Sequence, residues 1–214
     1  MEQRQAFQFR RPARLLIAGP CGCGKTTFTT RLLLDKIDLF SKIPDAIHYC
    51  YGSWQIGFEK LKRKVSSFTK ESHRNGFQKG QGIIVLDDPM DEGSKDKRVL
   101  DLFTRDSHHQ GVTVFYLCQD RFPNGKYAMT ISRNAHYIAM FKNPRNQLEM
   151  RNLLIQSFPL QWQDVLETYS KVTERPLGYM LLDLHPASQD DARILSHALK
   201  EEGIMRCYQF RPSC

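Results

Sequence analysis

Eight consecutive residues carry the clearest chemistry in this chain. Gly19, Pro20, Cys21, Gly22, Cys23, Gly24, Lys25 and Thr26 have the spacing G-x-x-x-x-G-K-[ST]. A loop of this kind can wrap its backbone N–H groups around phosphate oxygens, provided glycine stands where side chains would collide. The helix expected behind it aims the positive end of its dipole at the same anion. Lys25 would reach β- and γ-phosphates, and Thr26 would offer a hydroxyl to Mg²⁺. The contact stretch is taken to run on through Thr27. That residue also excludes a dinucleotide fingerprint, because Gly22-Cys23-Gly24 would need glycine at position 27. Cys21 and Cys23 suggest a metal, but zinc takes four ligands and no second close cysteine pair exists. They read as small residues filling the loop.

A second constellation follows an apolar run. Residues 83–86 (IIVL) lead directly into Asp87 and Asp88. A buried strand would deliver both carboxylates to its C-terminal end, where ligands bind in open α/β sheets. Asp87 is expected to hold Mg²⁺, through water, and Asp88 to orient and polarise an attacking water. A strand end capped by solvated aspartates is the plainer alternative. Gln119 ends the next apolar run. An amide there can bond both a γ-phosphate and the lytic water, or it is simply a polar residue at a strand exit. A GTP switch is disfavoured: Met90 stands where D-x-x-G needs glycine, and no N-K-x-D occurs.

The elements that must position these residues are legible as short apolar runs. Arg14–Ala18 (RLLIA) reads as a buried parallel strand ending at the glycine loop. Residues 26–36 read as a helix with Phe28, Leu32 and Leu33 on one side. Strands are expected at 46–51, 83–86, 112–118, 136–141 and 177–184. Helices are expected at 58–64, 97–105, 145–157, 161–170 and 190–202, with a polar loop at 70–82 and a polar interruption at 108–111. Strands alternating with helices imply βαβ units with right-handed crossovers. The expected fold class is therefore α/β: a P-loop NTPase with a mostly parallel, twisted sheet flanked by helices.

The 214 residues suit one domain. A net charge of +8 favours polyanionic partners without naming one. The six cysteines lack the dense spacing of a secreted disulfide scaffold. The polar start MEQRQAFQFRR shows no signal peptide, and no apolar run approaches a membrane span. An intracellular, reducing compartment and no membrane partner are expected.

With the phosphate loop, the acidic pair and Gln119 in place, the chain resembles the FtsK–HerA superfamily. More narrowly it looks like the viral genome-packaging ATPases, including the poxvirus-type and the polinton or adintovirus enzymes. The stretches LFTRDSHH (102–109), 112–120, ISRNAHYIAMFKNP (131–144) and PLGYMLLDL (176–184) carry that likeness, over about residues 13–185. It implies a RecA-like (ASCE-type) doubly wound sheet with the Gln119 strand between the other two motif strands. It also implies ATP as the nucleotide, and a ring of subunits that translocates double-stranded DNA into a capsid in an infected cell, in cytoplasm or nucleus, with the virion as a second location. A capsid or vertex protein would be its partner. Residues 1–12 would be an N-terminal arm, 13–185 the ATPase core and 186–214 a C-terminal helix and tail. Many relatives carry Glu where this chain has Asp88, one methylene shorter, which bears on turnover. Such rings complete each site with a neighbour's arginine. Arg105 is the first choice, with Arg133 and Arg145 as rivals. His108 and His109 match the packaging-type stretch and either line the subunit junction or pack locally.

Lys60, Lys62, Arg63, Lys64, Lys70, Arg74 and Lys79 have only Glu71 among them. Such a stripe could track DNA phosphates without reading sequence, or it is a solvated basic face or a nuclear-import signal. Phe68 and Phe77 read as small-core anchors. Two other functions stay open: a small nucleoside or nucleotide kinase, and an assembly switch that binds ATP without hydrolysing it.

Overall fold

The computed structural model describes residues 7–35, 39–70, 82–87, 97–119 and 127–210. Its strands are β1 (Arg14–Ala18), β2 (Ile47–Tyr51), β3 (Ser67–Thr69), β4 (Ile83–Asp87), β5 (Thr113–Cys118), β6 (Tyr137–Phe141), β7 (Tyr179–Asp183), β8 (Ile194–Ser196) and β9 (Arg206–Tyr208). They form one sheet in the order β3-β2-β4-β5-β1-β6-β7-β8-β9. The pairs from β3 to β6 are parallel, and those from β6 to β9 antiparallel. The sheet is thus mostly parallel, and β5 lies between β4 and β1 as the resemblance implied.

The apolar runs sit centrally because both their faces are covered. Leu16, Ile84, Leu86, Val114, Tyr116 and Ile138 point to one face and join Phe103, Ile131, Leu154 and Val165 from helices. Leu15, Ile17, Val85, Phe115, Leu117 and Ala139 point to the other, against Phe28, Leu32 and Leu33 of α1 (Lys25–Leu34). This period-two split of continuous apolar strands is what a doubly covered parallel sheet requires. Phe9, from the expected arm, is buried there beside Phe40 and Tyr137.

Between β4 and β5 the helical segment is longer than the sequence suggests. It runs as α2 (Lys97–Asp101), a π-helical turn (Leu102–Asp106) and α3 (Ser107–Gln110). The expected interruption at 108–111 is instead the helix end, closed by Gly111 at φ +68°. α4 (Ala128–Arg133) precedes β6. Then α5 (Gln147–Ser157) and α6 (Trp162–Val172) form a helical hairpin. Two helices return the chain to the edge it left, so β7 must run antiparallel to β6.

Two expectations are corrected, and one strand is added. Residues 58–64 are a short 3₁₀ segment, Ile56–Lys60, and a turn rather than a helix. β3, at Ser67–Thr69, falls where no element is expected, since three residues are too few to show a period. The expected C-terminal helix at 190–202 is 3₁₀ Asp190–Ala192, then β8, then 3₁₀ Lys200–Glu202. There the last apolar side chains complete the sheet edge: Ile194 and Leu195 pair with β7, and Tyr208 and Cys207 with β8. Among the described residues no helix is long and apolar enough to cross a membrane.

Candidate functional site

The register of the three central strands assembles the site. Ala18 lies opposite Cys118, and Leu117 opposite Asp87. Gly19, Asp87 and Gln119 therefore share the C-terminal edge of the sheet. The Gly19 N–H donates to the Cys118 carbonyl at 3.3 Å, tying the start of the loop to β5. A Cβ at Gly19 would lie 2.6 Å from Cys23 Sγ and 2.8 Å from Phe141 Cβ. Gly24 has φ +108°, and a Cβ there would meet Leu177 Cδ2 at 2.7 Å. Both positions demand glycine, on steric and conformational grounds. Cys21 is exposed and Cys23 half-buried. Burial pushes the Cys23 thiol up, against the pull of the Lys25 charge, so it fills the loop as a neutral group.

Helix α1 begins at Lys25, immediately behind the loop, with the positive end of its dipole there. The Lys25 ammonium donates to the carbonyls of Gly19 at 2.6 Å and Pro20 at 3.0 Å, which holds it across the loop. The next residue links loop to sheet: Thr26 Oγ1 donates to Asp87 Oδ2 at 3.2 Å. Asp87 is only 4% exposed. The same oxygen accepts a hydrogen bond from the Tyr49 hydroxyl of β2 at 2.7 Å. Tyr49 is fully buried. That burial, reinforced by the Asp87 charge and the bond to it, pushes the phenol well above the ordinary tyrosine range. It stays a proton donor at physiological pH.

Tyr49 is the site residue that sequence reasoning missed. Its signal was present, since a phenol inside the apolar run 46–51 must find a partner for its hydroxyl when buried. The oxygens of Thr26 and Asp87, meeting at one point, match the preference of Mg²⁺ for hard donors. The loop, with glycine required at 19 and 24, stands ahead of a helix N-terminus and matches a phosphate chain. The residues present thus fit both groups.

Gln119 is exposed on the bend beyond β5, between the strands of Gly19 and Asp87. Asp88 lies outside the described residues, as do Arg74, Phe77, Lys79, Met90 and residues 121–126. Arg105 is exposed on the π-helical turn. Two residues earlier, the Phe103 carbonyl accepts a bond at 2.6 Å from Arg14, at the start of β1. The backbone of Arg105 is thereby placed toward the N-terminal edge of the sheet, away from its own chain's glycine loop. Arg133 closes α4 near the same edge, where the His136 N–H meets the Arg14 carbonyl. Arg145 follows β6 on the loop-bearing edge, its N–H on Asn143 Oδ1 at 3.2 Å. His109 is exposed on α3. Lys60, Lys62, Arg63, Lys64 and Lys70 are exposed. Lys62 pairs with Glu59 at 2.7 Å and lies 5.4 Å from the centre of the Trp54 ring. Phe68 packs against Tyr49 and Phe58 in a small aromatic cluster, as an anchor should.

No protein-family model matches the sequence, and no curated protein does. Solved structures do match by shape. The genome packaging NTPase B204 from Sulfolobus turreted icosahedral virus 2, in complex with ATP-gammaS, superposes with a TM-score of 0.51 at 13% identity. The match covers 86% of this chain and 96% of that one. The chain shares that protein's fold. The same B204 protein in complex with AMP gives 0.49 at 11% identity, covering 80% and 92% of the two chains. The N-terminal domain of zonular occludens toxin from Neisseria meningitidis gives 0.36 at 13% identity, covering 63% and 79%. At these identities the likeness to the packaging NTPase concerns the fold, and the reading of the site rests on its own geometry.

Proposed function

We propose that the protein is an ATP-hydrolysing DNA translocase that packages viral double-stranded DNA into a capsid. The observation that carries the hydrolytic half is the Thr26–Asp87 hydrogen bond, which joins the phosphate loop to a buried carboxylate. In this reading residues 19–27 cradle the phosphates and Lys25 leaves its two carbonyls for the γ-phosphate. Thr26 and Asp87 would hold Mg²⁺, which would offset charge on the phosphate oxygens. Asp88 takes a proton from water as that oxygen attacks the γ-phosphorus and the bond to ADP breaks, giving ADP and phosphate. Gln119 holds the water and senses the γ-phosphate. Arg105 serves the neighbouring subunit's site in a ring, which accords with its distance from its own.

The packaging half draws on the fold shared with B204, a packaging NTPase solved with ATP-gammaS, and on the +8 charge. Residues 13–185 act as the ATPase core of a single domain. The duplex meets the basic residues from Lys60 onward, and a capsid or vertex protein docks the ring inside the infected cell. The test is the ATPase rate with and without duplex DNA, together with the assembly mass in ATP. DNA-stimulated turnover by a ring is expected. Nucleotide binding without any turnover would replace the motor by an assembly switch.

A further inference from the structure

We infer that Tyr49 is a positioning residue for the cation-binding carboxylate of this site. The inference rests on the nucleotide-site reading above and names a residue that reading does not need. Asp87 is almost wholly enclosed, yet one of its oxygens receives two hydroxyl donors from two different elements: Thr26 at the start of α1 and Tyr49 in the middle of β2. Thr26 has a second task, because a hydroxyl that donates its proton to Asp87 keeps a lone pair for a cation. Tyr49 has no such task. It is fully buried, two residues before the Asp87 partner Tyr51 in the β2–β4 register, so its ring reaches up the sheet to the carboxylate. The ring is fixed by Phe58 at 4.8 Å and Phe68 at 5.6 Å between centroids.

The physical consequence is orientation. A carboxylate at a strand end can rotate about its terminal torsion, which is broad and roughly two-fold. A donor on a rigid, caged ring selects one rotation and keeps Oδ2 on the Thr26 side. The carboxylate face offered to the cation is then set before nucleotide arrives. Partners of this outer kind typically account for 10–100-fold in metal affinity. The aromatic cluster around Trp54 and Phe58 acquires a role as well, since it is the scaffold that holds the donor still.

The test is Tyr49→Phe, which removes the hydroxyl and keeps the ring. Binding of a fluorescent ATP analogue is titrated with Mg²⁺, with no turnover required. The Mg²⁺ concentration giving half the maximal gain in affinity should rise about 10-fold or more. Affinity without Mg²⁺ should stay within about twofold, because the loop itself is untouched. 4-Aminophenylalanine at position 49, which restores a para donor, should bring the Mg²⁺ midpoint back. If Tyr49→Phe does not fold, 4-fluorophenylalanine at that position fills the same volume without an O–H and takes its place. A purely structural tyrosine predicts a lower melting temperature with an unmoved Mg²⁺ midpoint, and that result overturns the inference. Wild-type protein that binds the analogue with no Mg²⁺ dependence would instead overturn the nucleotide-site reading on which it stands.

Discussion

At the scale of single residues, the proposed site would separate binding from chemistry in a way substitutions can expose. Lys25→Ala removes the cation that bridges the Gly19 and Pro20 carbonyls. Turnover should fall at least about 10²–10³-fold, the scale of a lost transition-state donor, and ATP binding should weaken while the circular-dichroism spectrum is kept. Unchanged turnover in folded protein would remove the phosphate-loop assignment. The two acids should behave differently. Asp87→Asn should impair Mg²⁺-dependent nucleotide binding, because a buried charge beside Thr26 is lost. Asp88→Asn should leave that binding nearly intact and slow hydrolysis about 10²-fold or more. Binding isotherms and phosphate release, measured on both variants, check the split; identical behaviour would dissolve it. The glycine loop ahead of a helix and Asp87 at the end of its apolar run were legible locally, because both are written in consecutive residues. Tyr49 was not, because its role depends on which strand lies beside β4, and that adjacency is not written in any local run.

At the scale of elements, the π-helical turn before β5 is the feature with most to test. It puts Arg105 outward near the N-terminal edge of the sheet, with Arg14 holding the Phe103 carbonyl two residues earlier. Single π turns inside α-helices recur at functional sites. Arg105→Ala should keep ATP binding and lose hydrolysis. Mixing it with Lys25→Ala protein should restore part of the rate, since an intact loop then meets a neighbour's Arg105. Proven co-assembly without any rescue would rule out a trans role for this arginine and turn attention to Arg133 and Arg145. The central strands were legible from their apolar runs because they are covered on both faces, which leaves no polar alternation to confuse the reading. The C-terminal segment was misread for the opposite reason. Ile194–Ser196 and Arg206–Tyr208 are three residues each, separated by charged turns whose composition suits a helix. Only pairing, of β8 with β7 and of β9 with β8, makes them strands.

At the scale of the whole molecule, the +8 charge favours a polyanionic partner. If Lys62, Arg63 and Lys64 meet DNA phosphates, replacing all three by Gln should flatten the slope of log K against log salt by about 2–3 units. The lower end is expected, because Lys62 is already engaged with Glu59 and the Trp54 ring. The loss should be the same for any duplex sequence, as phosphate contacts carry no base information. An unchanged slope, from fluorescence titrations at several salt concentrations, would move the expected DNA contacts to residues 121–126 and leave the ATPase reading standing. The central claim is that ATP turnover drives this fold along duplex DNA. Displacement of a third strand from a triplex-bearing duplex tests it most directly. Wild-type protein with Mg²⁺ and ATP should strip the third strand, while a non-hydrolysable analogue or the Lys25→Ala variant should leave it in place. Hydrolysis of ATP at a normal rate on the same duplex with no strand released would contradict translocation.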